Sequence, residues 1–137
     1  MTSNYAGVII IKDKKILLIH RDNDPAIPYP NCWSVVGGML EEGESFEEGA
    51  KREVLEEANI SLKSMSFFAK ITREDGSESH YYYSRVNDED IKEMKLGNEG
   101  QEIKFFSLDE VVNLPLTKSL KKYMHTFMDK IKSLVES

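Results

Sequence analysis

The chain holds one cysteine, Cys32, among its 137 residues, so it can close no disulfide within itself. That scarcity fits a reducing compartment. Cys32 stands in PNCWS with no basic residue or histidine beside it to activate a thiol, so inert packing is its reading rather than nucleophilic chemistry. Positive charge is also short. Eighteen Lys and Arg face 24 Asp and Glu, for a formal charge of −6. Such a chain lacks the field that draws a nucleic-acid polymer or an anionic membrane. Small phosphorylated ligands remain open to it, because a few cations or bound metals reverse the field locally. No apolar run approaches the length of a membrane span, and MTSNYAGVIIIKDKK has no basic stretch before its apolar residues, which argues against a signal peptide. The cytoplasm is the expected location. Proline is sparse as well: three of the four prolines fall in NDPAIPYPNC, and none lies between Pro30 and Pro115.

What is present is ordinary globular material, 40% hydrophobic and 31% charged. The length bounds a single domain, residues 1–137, with one real core. No repeat, low-complexity tract or linker divides it. YAGVIIIKDKKILLIH reads as a hairpin over about residues 5–20. WSVVGG reads as a short strand that stops at Gly37 and Gly38. Ser45, with Glu48 three residues on, forms a capping box and starts a helix that ends near Ala58, where Asn59 supplies the left-handed residue. FFAKITR and SESHYYYSRV flank EDGS as an antiparallel pair, EIKFFSL is a further strand, and Ser107 opens a short helix. After Pro115, residues Leu116, Leu120, Tyr123, Met124, Phe127, Ile131 and Leu134 recur at helical spacing, a core stripe. Strands before, between and after helices predict an α/β sandwich on a mixed sheet.

The segment GAKREVLEEANI carries the chemistry. On a helix, Glu57 lies about 40° to one side of Glu53 and Glu56 about 60° to the other, so three carboxylates share a face. Ala50, Val54 and Ala58 form the apolar stripe beside them. Lys51 can meet Glu47, and Arg52 can reach Glu48 and Glu56 at four-residue spacing. Glu53 has no cation at either spacing: its neighbours there are Gly49, Glu56 and Glu57. Gly49 inside a helix adds a penalty of about 1 kcal/mol against Ala. Such choices make sense where something must approach closely and something positive must bind. Hard carboxylate oxygens suit Mg²⁺ or Mn²⁺. His20, His80 and His125 share no spacing, which argues against zinc.

GGMLEEGESFEEGAKREVLEEANI resembles the Nudix box. Gly38 opens it, Glu44 is its spaced glutamate, and Arg52, Glu53, Val54, Glu56, Glu57 and Ile60 fill its later positions. Asn59 departs from the family's glycine, a change a left-handed helix end tolerates. Val36 departs from the proline of many relatives. The flanks PNCWSVVGG and NEGQEIKFFSLDEVVNLP also resemble the family. The resemblance implies a Nudix-type α/β/α sandwich and a Mg²⁺- or Mn²⁺-dependent pyrophosphohydrolase of nucleoside diphosphate derivatives. It implies metal ligation by Glu53, Glu56 and Glu57, with a main-chain carbonyl of Gly37 or Gly38, and an orienting role for Arg52 and Glu44. GNEGQ resembles the MutT-type loop that supplies a further glutamate as ligand or general base. Glu99 falls there, with Glu102 within reach of the same loop.

Specificity is less legible. ADP-ribose-hydrolysing relatives often carry a proline shortly after the box, and its absence here turns the resemblance toward nucleoside triphosphates, oxidised ones included. The MutT-type asparagine that reads the base has no aligned counterpart. The expected products are a nucleoside monophosphate and pyrophosphate. Nucleotide sugars or dinucleotides are the alternative substrates, and a non-catalytic nucleotide-sensing module is the alternative class. Arg21, Tyr81 and Tyr83 are candidates for holding the nucleotide, against a surface ion pair for Arg21 and a buried strand face for the tyrosines. Monomer and homodimer are both compatible with the sequence.

Overall fold

The computed structural model describes residues 3–137. Strand β1 (Tyr5–Lys12) turns into β2 (Lys15–His20) through Asp13 and Lys14, both at positive φ. The two strands pair only next to that turn, at Ile11↔Ile16 and Lys12↔Lys15. Beyond it they part, and β3 (Trp33–Met39) enters between them. It pairs with β2 through Trp33, Ser34 and Val35 and with β1 through Val36 to Met39. The hairpin expected over residues 5–20 is thus real at its tip and opened below it.

The expectation that β3 stops at the paired glycines is corrected, since the strand runs on to Met39. Gly37 and Gly38 keep their ladder partners, Gly7 and Ala6. A side chain at Gly37 would stand 2.7 Å from the Gly7 Cα and 2.8 Å from the Tyr5 hydroxyl. Glycine is what lets the backbones close here.

Helix α1 (Phe46–Ala58) follows, capped as the sequence requires. The Ser45 side chain accepts from the Glu48 amide and the Glu48 carboxylate accepts from the Ser45 amide. At the other end Asn59 takes the left-handed conformation at φ 54°. Strands β4 (Ser66–Thr72) and β5 (Glu78–Arg85) pair antiparallel, and β5 lies parallel to β1. Strand β6 (Glu102–Phe106) then adds to β2, ahead of the short helix α2 (Leu108–Val111) and the long α3 (Lys118–Glu136). The order is β4-β5-β1-β3-β2-β6, a mixed sheet of six strands.

Alternation along β1 divides the interior. Ala6, Val8 and Ile10 face α1 with Leu17 and Val36, against Ala50, Val54 and Ala58. Ile9 and Ile11 face the opposite way with Leu18, Trp33 and Val35, against α2 and α3. Helices therefore cover both faces, giving an α/β/α sandwich. Val54, with no exposed surface, contributes about 1.5–3 kcal/mol by leaving water. In α3 the expected stripe holds at Leu120, Tyr123, Met124 and Ile131, with Phe127 and Leu134 partly covered, while Leu116 is corrected to a position before the helix, in a bridge to Trp33. The helix breaks its regular geometry at Phe127 (φ −116°, ψ 20°), and Val135 takes the deepest place in the last turn. Among the described residues no helix is long and apolar enough to cross a membrane.

Candidate active site

The site forms where β3 ends and α1 passes over it. Gly38 has no side chain, and the Glu53 carboxylate fills that room. A Cβ built at Gly38 would lie 2.5 Å from the Glu53 carboxyl carbon. One residue earlier, the Gly37 amide donates to Glu57 Oε1 at 2.9 Å. The paired glycines thus seat two of the three helix carboxylates, one through lost volume and one through a hydrogen bond.

Arg52 organises the rest. Its Nε donates to Glu44 Oε2 at 2.7 Å and its Nη2 to Glu44 Oε1 at 3.1 Å, a bidentate pair. Nη2 also donates to the Met39 carbonyl at 3.1 Å. Nη1 donates to Glu53 Oε1 at 2.9 Å and to Glu56 Oε2 at 3.2 Å. Glu53 is therefore not without a cation, as helical spacing alone suggested. Neighbours on a helix do not face each other, but the guanidinium is long enough to fold back over its own helix and reach the next residue. The expected contact from Arg52 to Glu48 is absent among the described residues, because Glu48 is spent on the cap at Ser45.

Glu44 reaches Arg52 because the loop before α1 lies flat on the helix. The Glu41 amide donates to Glu44 Oε1 at 2.9 Å, and Gly49 leaves the space that the Leu40 and Glu44 side chains occupy. This accounts for a glycine inside the helix. The Arg52 guanidinium, with help from the Glu41 amide, holds the Glu44 carboxyl below the usual carboxylate range.

Glu57 is driven the other way. Burial pushes its pKa up from 4.5 to about 8; the Gly37 hydrogen bond opposes the rise, and the nearby charges of Glu53 and Glu99 add to it. Glu99 is exposed on the loop between β5 and β6. Glu102 opens β6 opposite His20, with Oε1 3.9 Å from His20 Nδ1.

The substrate candidates separate. Arg21 ends β2, where its Nε and Nη2 both donate to the Pro28 carbonyl, at 3.1 and 2.7 Å. It closes the proline-rich loop rather than pairing with Asp22 or Asp24. Tyr81 and Tyr83 share a face of β5 as alternation requires, but that face is the interior one toward α3. Tyr81 is 3% exposed and packs on Tyr123 with ring centroids 4.0 Å apart. Tyr83 is partly covered, against Phe68 and beneath Arg85. The reading of these two rings as nucleotide contacts is corrected, since core packing occupies them. Tyr5, which the sequence did not single out, packs beside Tyr81 on the α3 side of the sheet and reaches the glycine pair from there. Its hydroxyl sits over Gly37, and burial, together with the charges of Tyr81, Glu57 and Glu53, raises its pKa well above the ordinary value. Only the pairing of β1 with β3 brings it there.

The donor set fits a hard divalent cation. Glu53, Glu56, Glu57 and Glu99 supply carboxylate oxygens in excess of the one guanidinium among them. Among the described residues no three His, Cys, Asp or Glu side chains stand together as a group that could hold a metal ion. Arg52 holds Glu53 and Glu56, while Gly37 holds Glu57.

The architecture is a two-faced sandwich with a carboxylate-bearing helix laid over a glycine-paired strand. The chain belongs to the Nudix family, whose NUDIX domain model matches residues 1–127, and it is a pyrophosphohydrolase of that kind. Members of this family generally need a divalent metal. The chain is 35% identical over 120 residues to an ADP-ribose pyrophosphatase from Methanocaldococcus jannaschii, covering 85% of this chain and 69% of that protein. It is 43% identical over 61 residues to an oxidized purine nucleoside triphosphate hydrolase from Mus musculus, covering 44% of this chain and 37% of that protein. A NUDIX hydrolase from Nitrosomonas europaea shares the fold at a TM-score of 0.76 with 24% identity, over 94% of this chain and 71% of that one.

Proposed function

We propose that this chain is a Mg²⁺-dependent hydrolase that cleaves the diphosphate bond of a nucleoside diphosphate linked to a second group, releasing a nucleoside monophosphate. The observation that carries the reading is the seating of Glu53 at Gly38 and Glu57 at Gly37, where Glu57 is costly to ionise without a cation. When bound, the cation supplies charge neutralisation of the phosphates and a more acidic water. Mn²⁺ satisfies the same oxygen donors.

In this reading Glu53, Glu56 and Glu57 hold the metal. Arg52 and Glu44 keep Glu53 and Glu56 in place and do not react. Glu99 accepts the proton of the attacking water, a role open to a carboxylate carried on a loop beside the cluster. Arg21 borders the site through its hold on the proline-rich loop and adds positive charge at that edge.

For the substrate, a relative matched over 85% of this chain is named for ADP-ribose, which favours a nucleoside diphosphate sugar. The shorter match to a hydrolase named for oxidised purine triphosphates supports the second reading, a nucleoside triphosphate cut to monophosphate and pyrophosphate. We place the activity in the cytoplasm, in a single domain spanning the chain, acting on a free nucleotide rather than a polymer.

The test is a panel of ADP-ribose, other nucleotide sugars, dinucleotides and nucleoside triphosphates with Mg²⁺, with products resolved by anion exchange. Monophosphate release that falls by about 100-fold or more in Glu53→Gln, with the fold intact, supports the reading. Binding without turnover of every compound makes the protein a sensor instead.

A further inference from the structure

The loop between β5 and β6 that carries Glu99 is fastened to the C-terminal end of α1. The Lys95 amide donates to the Ala58 carbonyl and the Gly97 amide to the Glu57 carbonyl, each at 3.0 Å. The last turn of a helix leaves carbonyls without partners inside the helix, and here the loop supplies two of the missing donors. Contact at Gly97 is close enough that a Cβ there would overlap the Glu56 carbonyl oxygen. That oxygen belongs to helix backbone and cannot step aside as a side chain would.

Asn59 adds the third fastening. Its Nδ2 donates to the Glu93 carbonyl at 2.8 Å. Asn59 also holds the left-handed conformation that ends α1. Glycine would take that conformation with less strain, yet it has no amide to offer Glu93. The residue therefore serves two ends at once: it stops the helix, and it reaches across to the loop. On the far side of Glu99, the Gln101 amide donates to the His20 carbonyl at 2.7 Å, and Gln101 Nε2 donates to the Arg21 carbonyl at 2.7 Å. Glu99 hangs between two anchors, and the first is made of the backbone that carries Glu56 and Glu57.

We propose that Asn59 and Gly97 form a latch that fixes the spacing between the helix carboxylates and Glu99, making both of them positioning residues for the reaction. The inference rests on the assignment of Glu99 as the loop carboxylate of the proposed hydrolysis. Neither residue touches substrate. Asn59 acts through the Glu93 carbonyl, and Gly97 acts by allowing the loop to lie against the helix.

Two variants and two readouts test it. Asn59→Gly keeps the left-handed turn and removes only the side-chain donor, so the melting temperature should hold. In metal-free protein, amide exchange at residues 95–99 should quicken by about fivefold, the effect of one lost hydrogen bond, while β1 and β3 are unchanged. With the substrate the unmodified protein hydrolyses, kcat should fall by about three- to tenfold and KM should move by less than about twofold, the pattern of a group misplaced in the transition state alone. Gly97→Ala must push the loop off the helix, and its kcat should fall by about 10- to 100-fold. Exchange that stays at the unmodified rate in both variants overturns the latch, and so does quickened exchange with kcat unaltered. If the unmodified protein hydrolyses no nucleotide, the hydrolase reading fails on its own, and the exchange rates still decide whether the latch exists.

Discussion

Replacing Glu57 by glutamine should make the metal-free protein more stable while ending its activity, and the gain should depend on pH. Unfolded Glu57 ionises near 4.5, whereas in the folded chain it keeps its proton until about 8, chiefly because it is buried. The folded state therefore binds the extra proton between those values, and wild-type stability falls as pH climbs from about 4.5 to about 8. At 1.36 kcal/mol per pH unit, the full displacement corresponds to about 5 kcal/mol. Glu57 retains some access to water, so about 2 kcal/mol is the expected net figure. Glutamine keeps an oxygen to accept the Gly37 amide and carries no charge. Glu57→Gln should then match wild type near pH 4.5 and exceed it by about 2 kcal/mol at pH 8, or about 5–8 °C in a protein of this size. The assay is thermal or urea unfolding of both proteins in chelator across that range. Other carboxylates titrate equally in both and cancel in the difference. Added Mg²⁺ should raise the wild-type midpoint and leave the variant's in place. A difference that is constant with pH, or a variant less stable than wild type at pH 8, would refute the electrostatic account of the site.

Two further substitutions probe neighbouring parts of the structure. Gly38→Ala sets a methyl group where the Glu53 carboxylate lies, and that flexible end can swing away. Little stability should be lost, but Mn²⁺ affinity measured by titration calorimetry should weaken by about tenfold or more; an unchanged affinity contradicts the placement of Glu53. Tyr123 is fully buried in the α3-side core, and its hydroxyl has no hydrogen-bond partner among the described residues. Tyr123→Phe should raise stability by about 1 kcal/mol in urea unfolding, and a loss of stability would mean that the hydroxyl is satisfied after all.

Local rules carried the sequence reading wherever an interaction closes within one turn of chain. The Ser45–Glu48 box and the left-handed Asn59 belong to this kind, and so do the two faces of the tyrosine strand. The reading weakened as soon as side-chain length or distant partners entered. Helical spacing left Glu53 without a cation because it treats side chains as points on a wheel, while Arg52 spans the gap between adjacent residues. Gly49 was legible as a place of close approach, but not which groups approach it. The choice between Glu99 and Glu102 depends on where β6 begins, and that is set by pairing with β2. Tyr5 and Gly97 gave no signal at all, since each is significant only through a neighbour that lies far along the chain, Gly37 and Glu56. Tyr81 and Tyr83 drew attention as aromatics, and aromatic rings serve a core as readily as a ligand.

The divided hairpin bears on how this protein acquires its shape. Two strands joined by a two-residue turn would ordinarily zip from the turn outward within microseconds, and here the zipper must halt after two rungs. Every rung beyond that would fill the slot owed to Trp33–Met39, and with the slot closed the glycine seat beneath Glu53 and Glu57 would never form. The seat therefore exists only because the hairpin stays open below its second rung, which leaves β1 and β2 each an edge for a strand arriving from beyond the proline-rich bend.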